Sequence, residues 1–248
     1  MKTSQIRAQA REKLSGNWGK AALLTFTFLA INFIISYGLQ FIILGPLLSF
    51  ILLFPLTFGL LSSYFRMNDE NKVGYFAFLE LGLSNSYSYF GKTWSVIFHT
   101  FLKLLIPILL VIGCDILLVL VNRAYLTSSV WITNSISNFI LTLFTVILFF
   151  TAIFYLIMKQ FSYKLSLFVL YDNPEISGKE AVEKSAELMK GNIWSLICLN
   201  LSFLGWAFVS SLTFGIGLFW LIPYKQISEI NFYRNLAGEP SFIKKESF

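Results

Sequence analysis

Leu201 to Leu236 reads LSFLGWAFVSSLTFGIGLFWLIPYKQISEINFYRNL. An apolar run broken by small residues leads into Pro223-Tyr224, and a mixed polar helix then ends in Phe232-Tyr233-Arg234. Upstream the apolar character begins at Ile193. The stretch 193–224 is long for one crossing and short for two, because a bilayer core takes about 20 helical residues. The cations decide between these. If a sixth span returns over about 214–233, only Arg123 of the 19 Lys and Arg lies on the far side, and Lys103 lies inside a span. With five spans, Lys225, Arg234, Lys244 and Lys245 move across. Cytoplasmic loops carry the Lys/Arg excess, so the balance favours about six spans with both termini cytoplasmic. The last span then carries Lys225 and Glu229, four residues apart, where they can pair or snorkel.

The rest of the chain has the same character. Its 248 residues are 56% apolar, 18% aromatic and 13% charged. Soluble domains carry about 25% charged residues, and one this apolar would expose large greasy patches. A membrane β-barrel needs alternation in strands of about 10 residues, yet 139–158 is apolar throughout. The expected fold is all-α: a polytopic transmembrane bundle of about six spans in three helical hairpins, with interfacial amphipathic helices. It forms a single integral membrane domain over 1–248, in the cell membrane. The net charge of +6 comes from cations flanking apolar runs. The expected partners are therefore the lipid bilayer, anionic lipid headgroups and a membrane protein, and not nucleic acid. Cys114 and Cys198 lie in apolar runs and read as small hydrophobes. The N-terminus lacks the pattern of a cleavable signal.

In chain order, 4–18 reads as a basic amphipathic helix capped by Ser4, with Ile6, Ala10 and Leu14 on one face, lying in the membrane interface. Spans follow at about 21–41 and 47–65, then a polar loop at 66–72. An interfacial candidate covers 75–90. Spans 94–121 and 135–158 flank a loop at 122–134, and the second extends as helix toward Leu170. Ser177-Gly-Lys-Glu180 looks like a capping box, in which serine takes the N3 amide and glutamate reaches back. The helix it opens puts Ala181, Val182, Ser185, Leu188 and Met189 on one stripe. A fifth span covers 193–212.

Gly91-Lys-Thr-Trp94-Ser-Val-Ile97 matches Gly191-Asn-Ile-Trp194-Ser-Leu-Ile197, and Gly16-Asn17-Trp18 opens the first span in a shorter form. Pro55 precedes Arg66 by the same interval as Pro223 precedes Arg234. These matches suggest pseudo-repeats at about 4–66, 75–170 and 177–236, each an interfacial helix and a two-span hairpin. An even number of spans makes the units parallel, unlike the inverted repeats of many transporters.

Phe203-Leu-Gly-Trp206, Thr213-Phe-Gly-Ile-Gly217, Pro223-Tyr224 and Phe232-Tyr233, together with Ser185-Ala-Glu-Leu-Met-Lys-Gly191 and the basic helix before Trp18, carry a resemblance. In this order and spacing the chain resembles, over nearly its whole length, the bacterial membrane family known as domain of unknown function 975. The resemblance implies an integral membrane fold and neither an activity nor catalytic residues.

Asp115 is the one carboxylate well inside an apolar span, and intramembrane charges are candidate functional groups. With Asn122 and Arg123 it forms either a structural polar cluster or a ligand or ion site. His99 and Lys103, one turn apart, read more plainly as an interfacial histidine and a snorkelling lysine than as a phosphate site or proton relay. Pro55 and Pro223 remove backbone hydrogen bonds and mark kinks. Gly45/Ser49, Gly59/Ser63 and Ser211/Gly215 are small-residue pairs that let helices approach. A single histidine excludes an HExxH zinc site. No hydroxyl or thiol has a base placed beside it by a motif, no phosphate loop is present, and no cofactor is expected. The chain reads as a non-enzymatic lipid- or partner-binding accessory, envelope or immunity-type protein; the alternative is a transporter or lipid-handling permease.

Overall fold

The computed structural model describes residues 3–70, 74–80, 86–127 and 135–238. Among them every regular element is helical: α1 (Thr3–Leu14), α2 (Trp18–Leu39), α3 (Gly45–Glu70), α4 (Ala77–Leu79), α5 (Ser86–Thr127), α6 (Ser135–Tyr163), α7 (Ser166–Asp172), α8 (Gly178–Leu188), α9 (Ile193–Leu201), α10 (Leu204–Leu212) and α11 (Leu218–Leu236). Five segments are long and apolar enough to cross a bilayer: Trp18–Leu39, Gly45–Asp69, Gly91–Val121, Phe139–Asp172 and Ile193–Leu212. The chain is thus a polytopic helical membrane protein. α11 stands where a sixth span is expected, but Lys225, Glu229 and Arg234 leave it outside that set.

Local chemistry sets the helix ends. Gly16 and Gly191 sit at φ 78° and 77°, a left-handed conformation that glycine adopts without a Cβ clash. Each stops an amphipathic helix shortly before a tryptophan, Trp18 or Trp194. α5 instead runs unbroken through Gly91, so the third match of this kind does not end a helix. At α8 the capping box forms: Glu180 N donates to Ser177 Oγ at 3.2 Å, and Ser177 N donates to Glu180 Oε2 at 3.1 Å. Ala181, Val182, Ser185 and Met189 are buried as their spacing predicts.

The buried core lies at one end of the bundle, here called the base. It gathers the first turns of α2, the last half of α3, α7, α8 and nearly all of α11 from Pro223 to Tyr233. Ile6, Ala10 and Leu14 of α1 belong to this core and α1 packs on α11. Its apolar face therefore covers protein rather than lipid. Phe65 stacks on Tyr171 with ring centroids 4.3 Å apart and meets Phe168 and Tyr233 edge-on. Away from the base, α5 and α6 pack chiefly against each other.

Aromatic contacts order the helices. Trp18 lies against Tyr224 of α11, Trp94 against Phe50 and Phe54 of α3, and Trp194 against Phe154 of α6. α11 runs antiparallel to α2, because Trp18 meets Tyr224 while Phe26 meets Phe219. From Phe26, α2 continues to Leu39, about 20 Å further at 1.5 Å per residue. The turn joining α10 to α11, near Phe219, lies well short of that end. At this turn Phe214 is fully exposed at φ 52°.

Several boundaries differ from expectation. Residues 66–70 are helical, not loop, because Asp69 is held by Arg234 at 2.9 Å. The helix after span 4 breaks at Lys164-Leu165, where Lys164 turns inward to an ion pair. The stretch 193–212 breaks at Ser202-Phe203, where Phe203 packs edge-on to Tyr224 at 5.0 Å. Ser4 lies inside α1 rather than before it. The close approach at the last hairpin is not Ser211/Gly215: a Cβ on Gly217 would fall 2.6 Å from Ser210 Oγ. Pro55 and Pro223 both lie buried inside continuous helices. Parts of the expected loops, 71–73, 81–85 and 128–134, and the tail with Lys244 and Lys245 lie outside the described residues.

Candidate functional site

α11 positions the charged centre of the base. Glu229 is 2% exposed, a burial that a carboxylate tolerates only when paired. Lys164 pairs with it directly, and Lys225, one turn earlier on α11, stands at 4.0 Å. Lys164 also donates to Asn200 Oδ1 at 3.2 Å, which ties α6, α9 and α11 together. One turn beyond Glu229, Arg234 bridges Asp69 of α3 at 2.9 Å and Asp172 of α7 at 3.2 Å. Its guanidinium lies 5.4 Å from the centre of the Phe65 ring, within cation–π range. Asn231 is fully buried, and among the described residues neither amide atom has a partner. Through these ion pairs and the Lys164–Asn200 hydrogen bond, the network ties α3, α7, α9, α11 and the end of α6 to one another.

Beside the base lies an apolar groove of about 350 Å³ between α10 and α11, closed at its near end by α1 and Trp18. Trp206 and Val209 come from α10, and Trp220 and Leu221 from α11. Thr213 and Gly217 bound the far end. The hydroxyls here are already used: Ser210 Oγ donates to Trp206 O at 2.8 Å, and Thr213 Oγ1 donates to Ser210 O at 2.8 Å. At the near end Arg11 Nη1 donates to the Tyr224 hydroxyl at 2.9 Å, and that hydroxyl donates to the Arg7 carbonyl at 3.4 Å. Arg7 Nη1 reaches Ser202 O at 3.3 Å, at the break between α9 and α10.

The residues singled out from sequence do not converge. His99, Lys103, Asp115 and Arg123 all lie on α5, and His99 and Asp115 are about 24 Å apart along it. His99 Nδ1 is 2.8 Å from the Ser95 carbonyl oxygen and 3.3 Å from its hydroxyl, so in the Nδ1–H tautomer it donates to its own helix. Lys103, Asp115 and Arg123 are exposed. Of the expected base pair, Lys225 is the more distant partner of Glu229. Lys164, Arg234, Asp69 and Asp172 carry the rest of the network, and Arg11 with Tyr224 carries the groove. A sequence signal existed for two of these: Tyr224 directly follows the helix proline, and Arg11 lies on the α1 flank beside the Ile6-Ala10-Leu14 stripe.

Comparison with curated proteins and with solved structures finds no match. The profile of the family described as "Protein of unknown function (DUF975)" matches residues 1–239, and the chain belongs to that family.

Proposed function

We propose that the protein is a non-enzymatic, multi-pass protein of the cell membrane that acts by holding a lipid or a membrane partner. Its role is that of an accessory, envelope-homeostasis or immunity-type protein, with the base and both termini on the cytoplasmic side. The observation that carries this reading is the groove between α10 and α11, whose aromatic walls no described segment of the chain covers. Its volume lies in the range of ligand pockets, about 300–1,000 Å³. The base supports the same reading, since a rigid ion-paired platform presents a surface without needing to move. The alternative, transport, calls for polar groups facing one another along a path. Exposed Asp115 and Lys103, and a His99 bonded within its own helix, lend that reading less support.

Native mass spectrometry of the tagged protein, extracted gently from its own membrane, tests the proposal. One reproducible lipid or protein adduct per chain is the expected result. A bare chain in several mild detergents would sink it.

A further inference from the structure

The binding reading leaves open what the groove takes, and the inference that follows rests on that reading. We propose that the groove holds an acyl chain of an anionic glycerophospholipid, whose phosphate sits on the guanidinium of Arg11.

The walls determine the buried part of the ligand. From Gly217 to Tyr224, α11 runs about 10 Å, and α10 runs about as far from Trp206 to Thr213. Between these ridges lie Trp206, Trp220, Val209 and Leu221, all apolar or aromatic. Both flanking segments are helical, so their backbone amides are engaged within the helices, and the Ser210 and Thr213 hydroxyls are spoken for. A peptide strand would find no backbone partner here, and a polar ligand would lose its hydration uncompensated. An alkyl chain loses nothing. The groove also opens sideways: Trp206 and Val209, on a segment apolar enough to cross a bilayer, are at least half exposed, and Trp220 of α11 is 46% exposed. A lipid can enter from the membrane without leaving it.

Charge determines the head. Arg11 is fixed at the near end by Tyr224, whose hydroxyl takes only one of its donors. Among the described residues no carboxylate lies within ion-pair distance of Arg11. Arg7, one turn earlier, has its Nε buried without a partner. Arg11 thus lines the mouth of an apolar groove with Arg7 one turn away, and among the described residues no carboxylate pairs with either. Guanidinium forms paired hydrogen bonds with phosphate oxygens. Trp18 completes the mouth, where an indole suits the level of the headgroups.

The test is lipid retention by the full chain in nanodiscs of equimolar phosphatidylglycerol and phosphatidylcholine with identical acyl chains, followed by gentle extraction and native mass spectrometry. The expected result is one retained phosphatidylglycerol per chain. In Arg11→Gln its excess over phosphatidylcholine should fall about ten-fold, the weight of one charge-assisted contact. Val209→Trp, which fills the groove from its wall, should abolish retention of both lipids. Melting temperatures in detergent identify any variant that has merely unfolded, and Arg11→Lys, which keeps the charge, should restore part of the excess. Equal retention of the two lipids by the unaltered protein overturns the anionic assignment and leaves lipid binding standing. Retention of phosphatidylglycerol unaffected by either substitution overturns the site. Retention of neither lipid overturns both this assignment and a tightly held lipid.

Discussion

The base and the α5–α6 hairpin are built from similarly apolar sequence and use it differently. In the most apolar part of Gly45–Asp69, 44% of residues are buried inside the protein. The corresponding figures are 6% for Gly91–Val121 and 11% for Phe139–Asp172. In the base, apolar side chains cover protein, and Glu229, Arg234 and Asp172 among them are paired. On the hairpin they face outward, and so do Lys103 and Asp115. Hydropathy shows that a segment avoids water, not whether protein or lipid replaces the water. Lipid tails are as apolar as leucine, so two helices in a bilayer gain little by hiding apolar surface from it. Among the described residues the hairpin is held chiefly by packing of α5 on α6, with aromatic contacts from Trp94 to α3 and from Phe154 to Trp194, whereas the base adds ion pairs, ring stacking and interlocked short helices.

If that contrast is right, equal truncations should have unequal consequences. Phe65 is fully buried between Tyr171, Phe168 and Arg234. Phe65→Ala should cost about 4 kcal/mol, the usual loss for a core phenylalanine. Phe144 of α6 is 56% exposed, and Phe144→Ala should stay within about 0.5 kcal/mol, as for other exposed sites. Denaturant unfolding of both variants in one mild detergent checks the pair. Similar losses would mean that hairpin and base are one packed unit and would break the comparison.

Next in size is the buried carboxylate. Glu229→Leu leaves Lys164 and Lys225 facing an apolar wall and should cost about 3 kcal/mol, as when one partner of a buried pair is removed. Glu229→Gln keeps a hydrogen-bond acceptor for Lys164 and should lose less. The double variant Glu229→Leu with Lys164→Met should recover much of the single loss in the same unfolding measurement. Failure to recover would show that Glu229 acts mainly through something other than Lys164.

How much of this was visible in the chain depends on the range of each interaction. The α8 capping box and stripe were legible because every partner lies within a few residues and follows the 3.6-residue period. The same period identified Ile6, Ala10 and Leu14 as one face. It did not say what that face covers, and lipid and α11 are equivalent to a periodicity argument. Lys164 meets Glu229 across 65 residues, and Arg11 meets Tyr224 across 213; no local pattern encodes such pairings. Lys225 looked like the partner of Glu229 because it is the neighbour in sequence. Asp115 stood out for the opposite reason: a lone carboxylate in an apolar run is conspicuous whether or not anything faces it.

A smaller effect refines the boundary of the base. Ser177→Ala removes the cap of α8 and should cost about 1 kcal/mol. The helix packs against α5 through Gly178, where a Cβ would come within 2.6 Å of Ser95. Hydrogen exchange should therefore quicken in the first turn of α8 and in the adjoining turn of α5 around Ser95. Faster exchange confined to α8 would place the beginning of α5 outside the base.

The smallest expected effect is the most discriminating for the hairpin. A carboxylate at the centre of a membrane helix costs about 3 kcal/mol on insertion scales, and less toward the helix ends. Asp115 lies six residues before the end of Gly91–Val121, about 9 Å along the axis. If its exposed side chain faces lipid and headgroups, as the open surface of α5 implies, Asp115→Asn removes a charge that no described residue pairs with. Stability in nanodiscs should then stay within about 1 kcal/mol of the unaltered chain, with any change toward greater stability, because asparagine is the less costly group there. A loss above about 2 kcal/mol would mean that Asp115 is held by a partner, as buried ionic groups are. Asp115 is exposed among the described residues, so a partner from another molecule would make the hairpin an interface rather than a lipid-facing arm.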